Sequence, residues 1–495
     1  MWFRSSGGWS TLLEHRIISY GLKLVTRRFF WEKAQEYGSK TAIISRKNNY
    51  SYEQLLRDAK QKALLLGGGK DLEQARVAVL VPPSYAYVAW QWAVWLSGGV
   101  FVPLSPSHPQ EELEYFVRDA EASYIVVSAE SQDKLTQVAG EYYLPYLRVS
   151  PVDGSLLMGA ERKKPNVDTI EFPQVDKHRN AMLIYTSGTT SRPKGVVYTH
   201  HMIEAQIKSL VQAWKWSSRD HILNVLPLHH VHGIVNVVCC ALYSGATLEL
   251  MEKFQPQPVW ERLMLNLIPQ GSHVSLFMAV PTIYHRLIEM YEAAPAGIKP
   301  LLSDAAKTLR LFVSGSAALP ETIFHRWKDI TGHYILERYG MTEIGMALSN
   351  PLKEEERRPG WVGYPLPGVD VQLRDEEGHR LVTEKAARGE LLVRGPNVFR
   401  EYWNRPEATA AAFDENGYFL TGDIAQRDES GFYQIIGRSS VDIIKSGGYK
   451  LSALEIERIY LQHPAIEQCT CVGRACDVGS VERMGKRQVG TVQAS

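Results

Sequence analysis

From about residue 40 the chain alternates short apolar runs with amphipathic runs of helical period. Thr41–Ser45, Arg76–Val81, Val100–Leu104 and Tyr124–Ser128 are short, rich in apolar and β-branched residues, and predict strands. Helical patterns lie between them. Ser51 caps the first, with Gln54 placed for a capping box. Ser84–Leu96 reads as a buried helix and Glu111–Ala120 as a further one. Such alternation predicts an α/β fold of mostly parallel sheets covered by helices. Residues 151–179 are polar and dotted with proline, which predicts a connection between lobes. Asn180–Tyr185 predicts a strand running into a glycine-rich loop. Ile203, Ile207, Leu210, Val211 and Trp214 then mark one face of a helix. Lys353–Gly360, reading KEEERRPG, predicts a solvated loop. Glu390–Arg394 and Gly431–Ile436 predict strands of a more β-rich subdomain, and the last domain boundary falls near Arg438–Lys445.

Composition narrows the function classes. A chain of 495 residues exceeds one ordinary core and predicts several folding units. Lys plus Arg number 55 against 54 Asp plus Glu, a balance that argues against binding nucleic acid by bulk charge. Five cysteines in so long a chain form no disulfide framework and fit a reducing compartment; their spacing near His463 matches no common zinc pattern. No transmembrane span is expected, because the most apolar stretch is broken by Ser97-Gly98-Gly99. Residues 1–28 carry Arg4, Arg16, Lys23, Arg27 and Arg28 against a single acid, Glu14. That is the composition of a mitochondrial transit peptide, or else of a plain basic terminus.

The candidate chemistry starts at Tyr185–Val196, reading YTSGTTSRPKGV. Hydroxyls and glycines directly after an apolar strand offer side-chain and backbone donors in a concave anion site. Lys194 adds a cation for a polyphosphate and Pro193 stiffens the turn. A Walker-type loop ends in Gly-Lys-Ser/Thr, whereas Lys194 is followed by Gly195 and Val196.

The string resembles the phosphate loop of the adenylate-forming superfamily of acyl-CoA synthetases, peptide-synthetase adenylation domains and luciferases. By that resemblance Thr186, Ser187, Gly188, Thr189 and Thr190 bind the nucleotide, and Lys194 is catalytic. Ser191 stands where the family usually has glycine, at about 1 kcal/mol or more if that site needs a positive φ. Ser314-Gly315-Ser316-Ala317 is similar to the segment lining the adenine and acyl pocket, which assigns Ser316 and Ala317 to it. Tyr339-Gly340-Met341-Thr342-Glu343 is similar to the motif in which the Tyr packs on adenine, the Thr meets the α-phosphate and the Glu holds magnesium. YFLTGD ends in Asp423, which the resemblance places on both ribose hydroxyls, with Arg438 a second ribose or phosphate contact. These motifs follow in family order from Tyr185 to Arg438, and the resemblance as a whole covers about residues 30 to 473.

The implied reaction has two steps. A carboxylate attacks the α-phosphorus of ATP, with Mg2+, and the acyl-adenylate then meets the thiol of coenzyme A. In the family a small C-terminal domain swings about a hinge between the steps, which makes Asp442 the hinge candidate and Gly447-Gly448 the backbone beside pantetheine. The implied organisation is a targeting segment over 1–28, a large domain over 29–437, a hinge over 438–445 and the start of a C-terminal domain over 446–473.

Two residues bear on the acid. In the malonyl-CoA synthetase branch an Arg at the place of Arg310 pairs with the distal carboxylate of a diacid; the alternative is a surface Arg flanking a strand. His230, in HHVHG, resembles the family's gate between acyl site and pantetheine path, or simply packs. The strings HHVHG, VPTIY, SGSAAL and ERYGMTEIGMALSNP look closest to the mitochondrial malonyl- and methylmalonyl-CoA synthetases, which implies a small-molecule diacid and the mitochondrial matrix. After Gly473 the resemblance stops. Residues 474–495 are polar and aperiodic, and Lys486 comes too soon after the hinge to match the family's late catalytic lysine. Two expectations therefore stand: an active diacid–CoA ligase, or an ATP- and acyl-binding protein impaired in adenylation.

Overall fold

The computed structural model describes residues 33–157, 167, 170–186, 192–375, 380–439, 442–446, 449–460 and 471. The fold is α/β, built from two large sheets, a smaller antiparallel sheet and a terminal hairpin. In the nine-stranded sheet, Thr41–Ser45, Thr247–Leu250, His221–Asn224, Leu276–Ala279, Leu311–Ser314 and Leu336–Met341 run parallel as neighbours in that order. Antiparallel strands Asn48–Ser51 and Gly345–Ser349 flank this parallel run. In the seven-stranded sheet, Asn180–Thr186, Val100–Pro103, Arg76–Leu80, Tyr124–Ser128 and Tyr146–Val149 are parallel. Lys194–Thr199 and Glu401–Tyr402 close one edge antiparallel. The β-rich subdomain is the antiparallel sheet of Asp370–Arg374, Ala387–Arg394, Phe419–Arg427 and Tyr433–Arg438.

The helix Tyr85–Leu96 is buried along its whole length, and every residue but Gln91 is apolar or aromatic, as expected of a helix packed on all sides. Its aromatic residues reach out of it by their polar tips: Trp95 donates to Ala181 O and Tyr87 to Leu228 O. Ser84 caps it by accepting from Tyr87 N–H. At the helix Tyr52–Gly67, Ser51 accepts from Gln54 N–H, the forward half of the predicted capping box.

Two local expectations change, and one unread strand is added. The strands on either side of residues 151–179 belong to one sheet, so this stretch links two strands of the seven-stranded sheet rather than two lobes. The glycine-rich loop leads into a second strand, Lys194–Thr199, and the helix His200–Trp214 begins only after it. The loop therefore closes an antiparallel hairpin in which Thr186 faces Lys194. Finally, Arg357 of KEEERRPG is buried: it donates to the carbonyls of Pro351, Leu352 and Tyr334, and so ties the predicted solvated loop down.

Candidate active site

In parallel α/β sheets, ligands gather beyond the carboxyl ends of the strands. Here a cavity of about 740 Å³ opens there, within the range of small-molecule sites. All three sheets supply its lining. His230, Ser316, Arg338, Thr342 and Glu343 come from the nine-stranded sheet and its connections. Thr186, Lys194 and Tyr402 come from the hairpin edge of the seven-stranded sheet, and Thr421 and Arg438 from the small sheet. A recess of about 210 Å³ shares Ser316, Gly340 and Arg438 with it and adds Ala317, Tyr339 and Asp423.

The polar wiring of the recess is explicit. Tyr339 Oη donates to Asp423 Oδ2 at 2.6 Å, and Arg438 Nε donates to Asp423 Oδ1 at 2.9 Å. Burial, followed by the Asp423 charge, pushes the Tyr339 phenol well up, so it remains a neutral donor. Asp423 and Arg438 are paired neighbours on adjacent strands, so the sheet register itself sets their contact. Arg438 N–H in turn donates to Asp442 Oδ2 at 2.8 Å, and Asp442 O accepts from Ala453 N–H. The hinge candidate is thus bonded both to a cavity residue and to the segment that follows.

In the main cavity, Tyr402 joins two predicted residues. Its hydroxyl donates to Glu343 Oε1 at 2.8 Å, and its ring carries the Lys194 ammonium 4.1 Å from the centroid. Tyr198 donates to Thr342 O and so fixes the turn between Thr342 and Glu343. Ser316 sits at φ 70°, a strained region for a residue with a side chain, and its hydroxyl lies 3.4 Å from His232 Nδ1. The connection Leu226–His232 forms one wall. It leads into a wide helix, His232–Cys239, where Cys240 N–H reaches back to Val235 O. Gly233 is required at this turn, since a Cβ there would lie 2.2 Å from Pro227 O. Burial lowers the pKa of His230 and of His232, so both imidazoles are neutral at pH 7. Glu343 gives a hard oxygen ligand at the cavity wall, beside the Thr342 hydroxyl, a donor set that fits Mg2+.

Arg310 does not join these residues. It precedes the strand Leu311–Ser314, so it sits at the opposite end of the sheet from the cavity. Its guanidinium is held in a bidentate pair with Asp220, at 2.7 and 2.8 Å, and also donates to Trp214 O. Besides Arg438, the arginine lining the cavity is Arg338, which sequence reasoning quoted only within a string. It is 3 % exposed, and its Nε and one terminal nitrogen have no hydrogen-bond partner among the described residues. Burial pulls its pKa down to about 9, which leaves it charged at neutral pH. A signal existed: Arg338 shares a strand face with Leu336, where period-two alternation puts core residues. Ser187, Gly188, Thr189, Thr190 and Ser191 lie outside the described residues, as do Gly447, Gly448 and the segments 1–28 and 474–495.

Residues 30–403 match the family described as AMP-binding enzyme. The chain belongs to that family. It is 44% identical over 467 residues to the mitochondrial malonate–CoA ligase ACSF3 of Homo sapiens, covering 89% of this chain and 80% of that one. It is 39% identical to a malonate–CoA ligase of Arabidopsis thaliana, over 89% of this chain and 72% of the relative. Among solved structures, ATP-bound MatB from Rhodopseudomonas palustris superposes with a TM-score of 0.79 at 28% identity, over 90% of this chain and 85% of that one. A malonyl-CoA ligase with methylmalonyl-CoA and AMP bound gives a TM-score of 0.68 at 34% identity, over 88% and 85%. The chain is an ATP-dependent, AMP-forming acyl-CoA synthetase by membership of this family.

Proposed function

We propose that this chain activates a short dicarboxylic acid of the malonate type with ATP and transfers the acyl group to coenzyme A. The observation that carries the choice of acid is Arg338. A buried guanidinium with unpartnered nitrogens is costly, and a ligand carboxylate completes it by charge-assisted hydrogen bonds. The malonate and methylmalonate names of the relatives and solved neighbours support the same class.

In this reading one carboxylate of the diacid meets Arg338, and the other attacks the α-phosphorus of ATP as pyrophosphate departs. Adenosine takes the recess, with the Asp423 carboxylate accepting from ribose hydroxyls and Arg438 beside it. Thr186 and Lys194 grip the polyphosphate, together with the loop between them, and Thr342 donates to the α-phosphate. Glu343, held by Tyr402, is the ligand for Mg2+, which when bound neutralises charge on the phosphate oxygens. Neutral His230 stands at the wall as the gate towards the thiol, and Asp442 is the hinge between the two steps. The names of the animal relatives support a mitochondrial location, and we place the protein in the matrix.

The test is pyrophosphate release with ATP and Mg2+ on malonate, methylmalonate and acetate, for the protein and for Arg338→Met. Met keeps the volume and removes a lone buried charge, so the fold tolerates it. The variant should lose ~30-fold or more on the diacids and little on acetate. Retained preference for diacids rejects the assignment. Absence of release above background with every acid rejects the activity.

A further inference from the structure

Both feet of the phosphate-loop hairpin rest on one face of the helix Gln110–Asp119. Tyr115 and Asp119 stand one helical turn apart on that face. Tyr115 Oη donates to Pro193 O at 2.7 Å, the carbonyl directly before Lys194. Asp119 Oδ2 accepts from Tyr185 Oη at 2.9 Å, and Tyr185 directly precedes Thr186. Phe116, between them, stacks on the Tyr185 ring at 4.5 Å. A third segment reaches the same carboxylate. Arg405 Nη2 meets Asp119 Oδ1 at 2.6 Å, just after Tyr402, the residue that holds Glu343 and Lys194. Between those two contacts, Trp403 N–H donates to Gly195 O at 2.8 Å.

The geometry points to Tyr115, Asp119 and Arg405 as positioning residues that set how Thr186 and Lys194 stand towards Glu343, and so how tightly the site grips ATP. None of the three is among the residues lining the cavity, so they act through the hairpin and through Tyr402. The strand register alone fixes which residues face each other, Thr186 against Lys194, but not where that pair stands relative to Glu343 on the other large sheet. Asp119 supplies that reference: its side chain is 9% exposed, and it accepts from both the hairpin and the Tyr402–Arg405 segment. This inference rests on the reading of Lys194 as a phosphate contact.

The experiment measures ATP affinity of the full chain by isothermal titration calorimetry, with thermal midpoints alongside. Tyr115→Phe deletes only the hydroxyl that holds Pro193. It should weaken ATP about three- to tenfold, the worth of one hydrogen bond, and leave malonate affinity unchanged. Asp119→Asn should weaken ATP further, and Arg405→Lys should weaken it less than Arg405→Ala. Lys194→Met and the double variant with Tyr115→Phe complete a cycle, in which the double variant should bind ATP no worse than Lys194→Met alone. If Lys194→Met weakens ATP and Tyr115→Phe lowers only the thermal midpoint, the helix is a packing element and the positioning role is wrong. If Lys194→Met leaves ATP affinity intact, the phosphate-contact reading falls, and the positioning role falls with it.

Discussion

Burying a guanidinium costs several kcal/mol unless a partner meets it, and the two arginines described above meet that cost differently. Arg310 is answered inside the protein by Asp220, which is 4% exposed. Arg310→Ala should therefore lower stability by about 2–3 kcal/mol, since the arginine itself is partly solvated, while the preference among acids stays as it was. A urea melt and a substrate comparison check both halves, and a changed preference would return Arg310 to the pocket. Arg338 is answered only when an anion arrives. Its pKa of about 9 in the free site gives a pH signature. Bound diacid stabilises the charged form, so affinity for diacids should fall as pH rises through about 9, with acetate unaffected. Tyr402 offers a third residue-scale test. Tyr402→Phe keeps the ring under Lys194 but removes the hydroxyl on Glu343. The expected result is a raised Mg2+ requirement with ATP affinity reduced less than in Tyr402→Ala. Equal loss in the two variants would mean that the hydroxyl alone matters.

Elements whose side chains face one environment were legible in the sequence, and elements set by long-range pairing were not. The helix Tyr85–Leu96 and the parallel strands Arg76–Leu80 and Val100–Pro103 announce themselves because burial on every side demands continuous apolar runs, whereas His221–Asn224 and Thr247–Leu250 were not read. The strand Lys194–Thr199 was missed because its partner is specified by the sheet edge, not by its own pattern. The same reasoning separates the site residues. Lys194, Thr342, Glu343, Tyr339, Asp423 and Arg438 were readable as motifs, and the structure gathers them around one cavity and its recess. Tyr402 owes its place to a contact between elements far apart in the chain, which local spacing does not encode; for Arg338, strand alternation gives burial but not the cavity it reaches. Gly315 shows how tightly such a contact is built. A Cβ on it would lie 2.4 Å from Arg338 Cζ, so the end of the strand Leu311–Ser314 leaves room for the guanidinium only because this residue has no side chain. Gly315→Ala should push the guanidinium aside and lose much of the diacid preference while the thermal midpoint moves little. An unchanged preference would show that Arg338 finds its carboxylate from another position.

At the scale of the molecule, the cavity sits where three sheets meet, and the packed interior buries histidines in their neutral form, His232 at the cavity wall and His200 away from it. His200 is 4% exposed and burial depresses its pKa to about 3; His232 is 5% exposed and is pushed well below its usual value. In the unfolded chain both titrate near 6.5. Below that pH the unfolded state binds protons that the folded state refuses, so stability falls as pH falls. Each such histidine contributes a slope of about 1.4 kcal/mol per pH unit, and the two together should remove about 4 kcal/mol between pH 7 and 5. Carboxylates add their own loss only at lower pH. Asp428, for one, is held at about 2 by Ser430, the Phe432 N–H and Arg358, so its share is present above about 4 and disappears below it. The window from pH 7 to 5 therefore isolates the histidines. Urea midpoints across it should drop steadily, with His229 and His230 adding to the loss, and His200→Gln, which cannot be protonated, should recover about 2 kcal/mol of it. A flat midpoint over that window would mean that water reaches these imidazoles and that the interior around them is not packed as the structure has it.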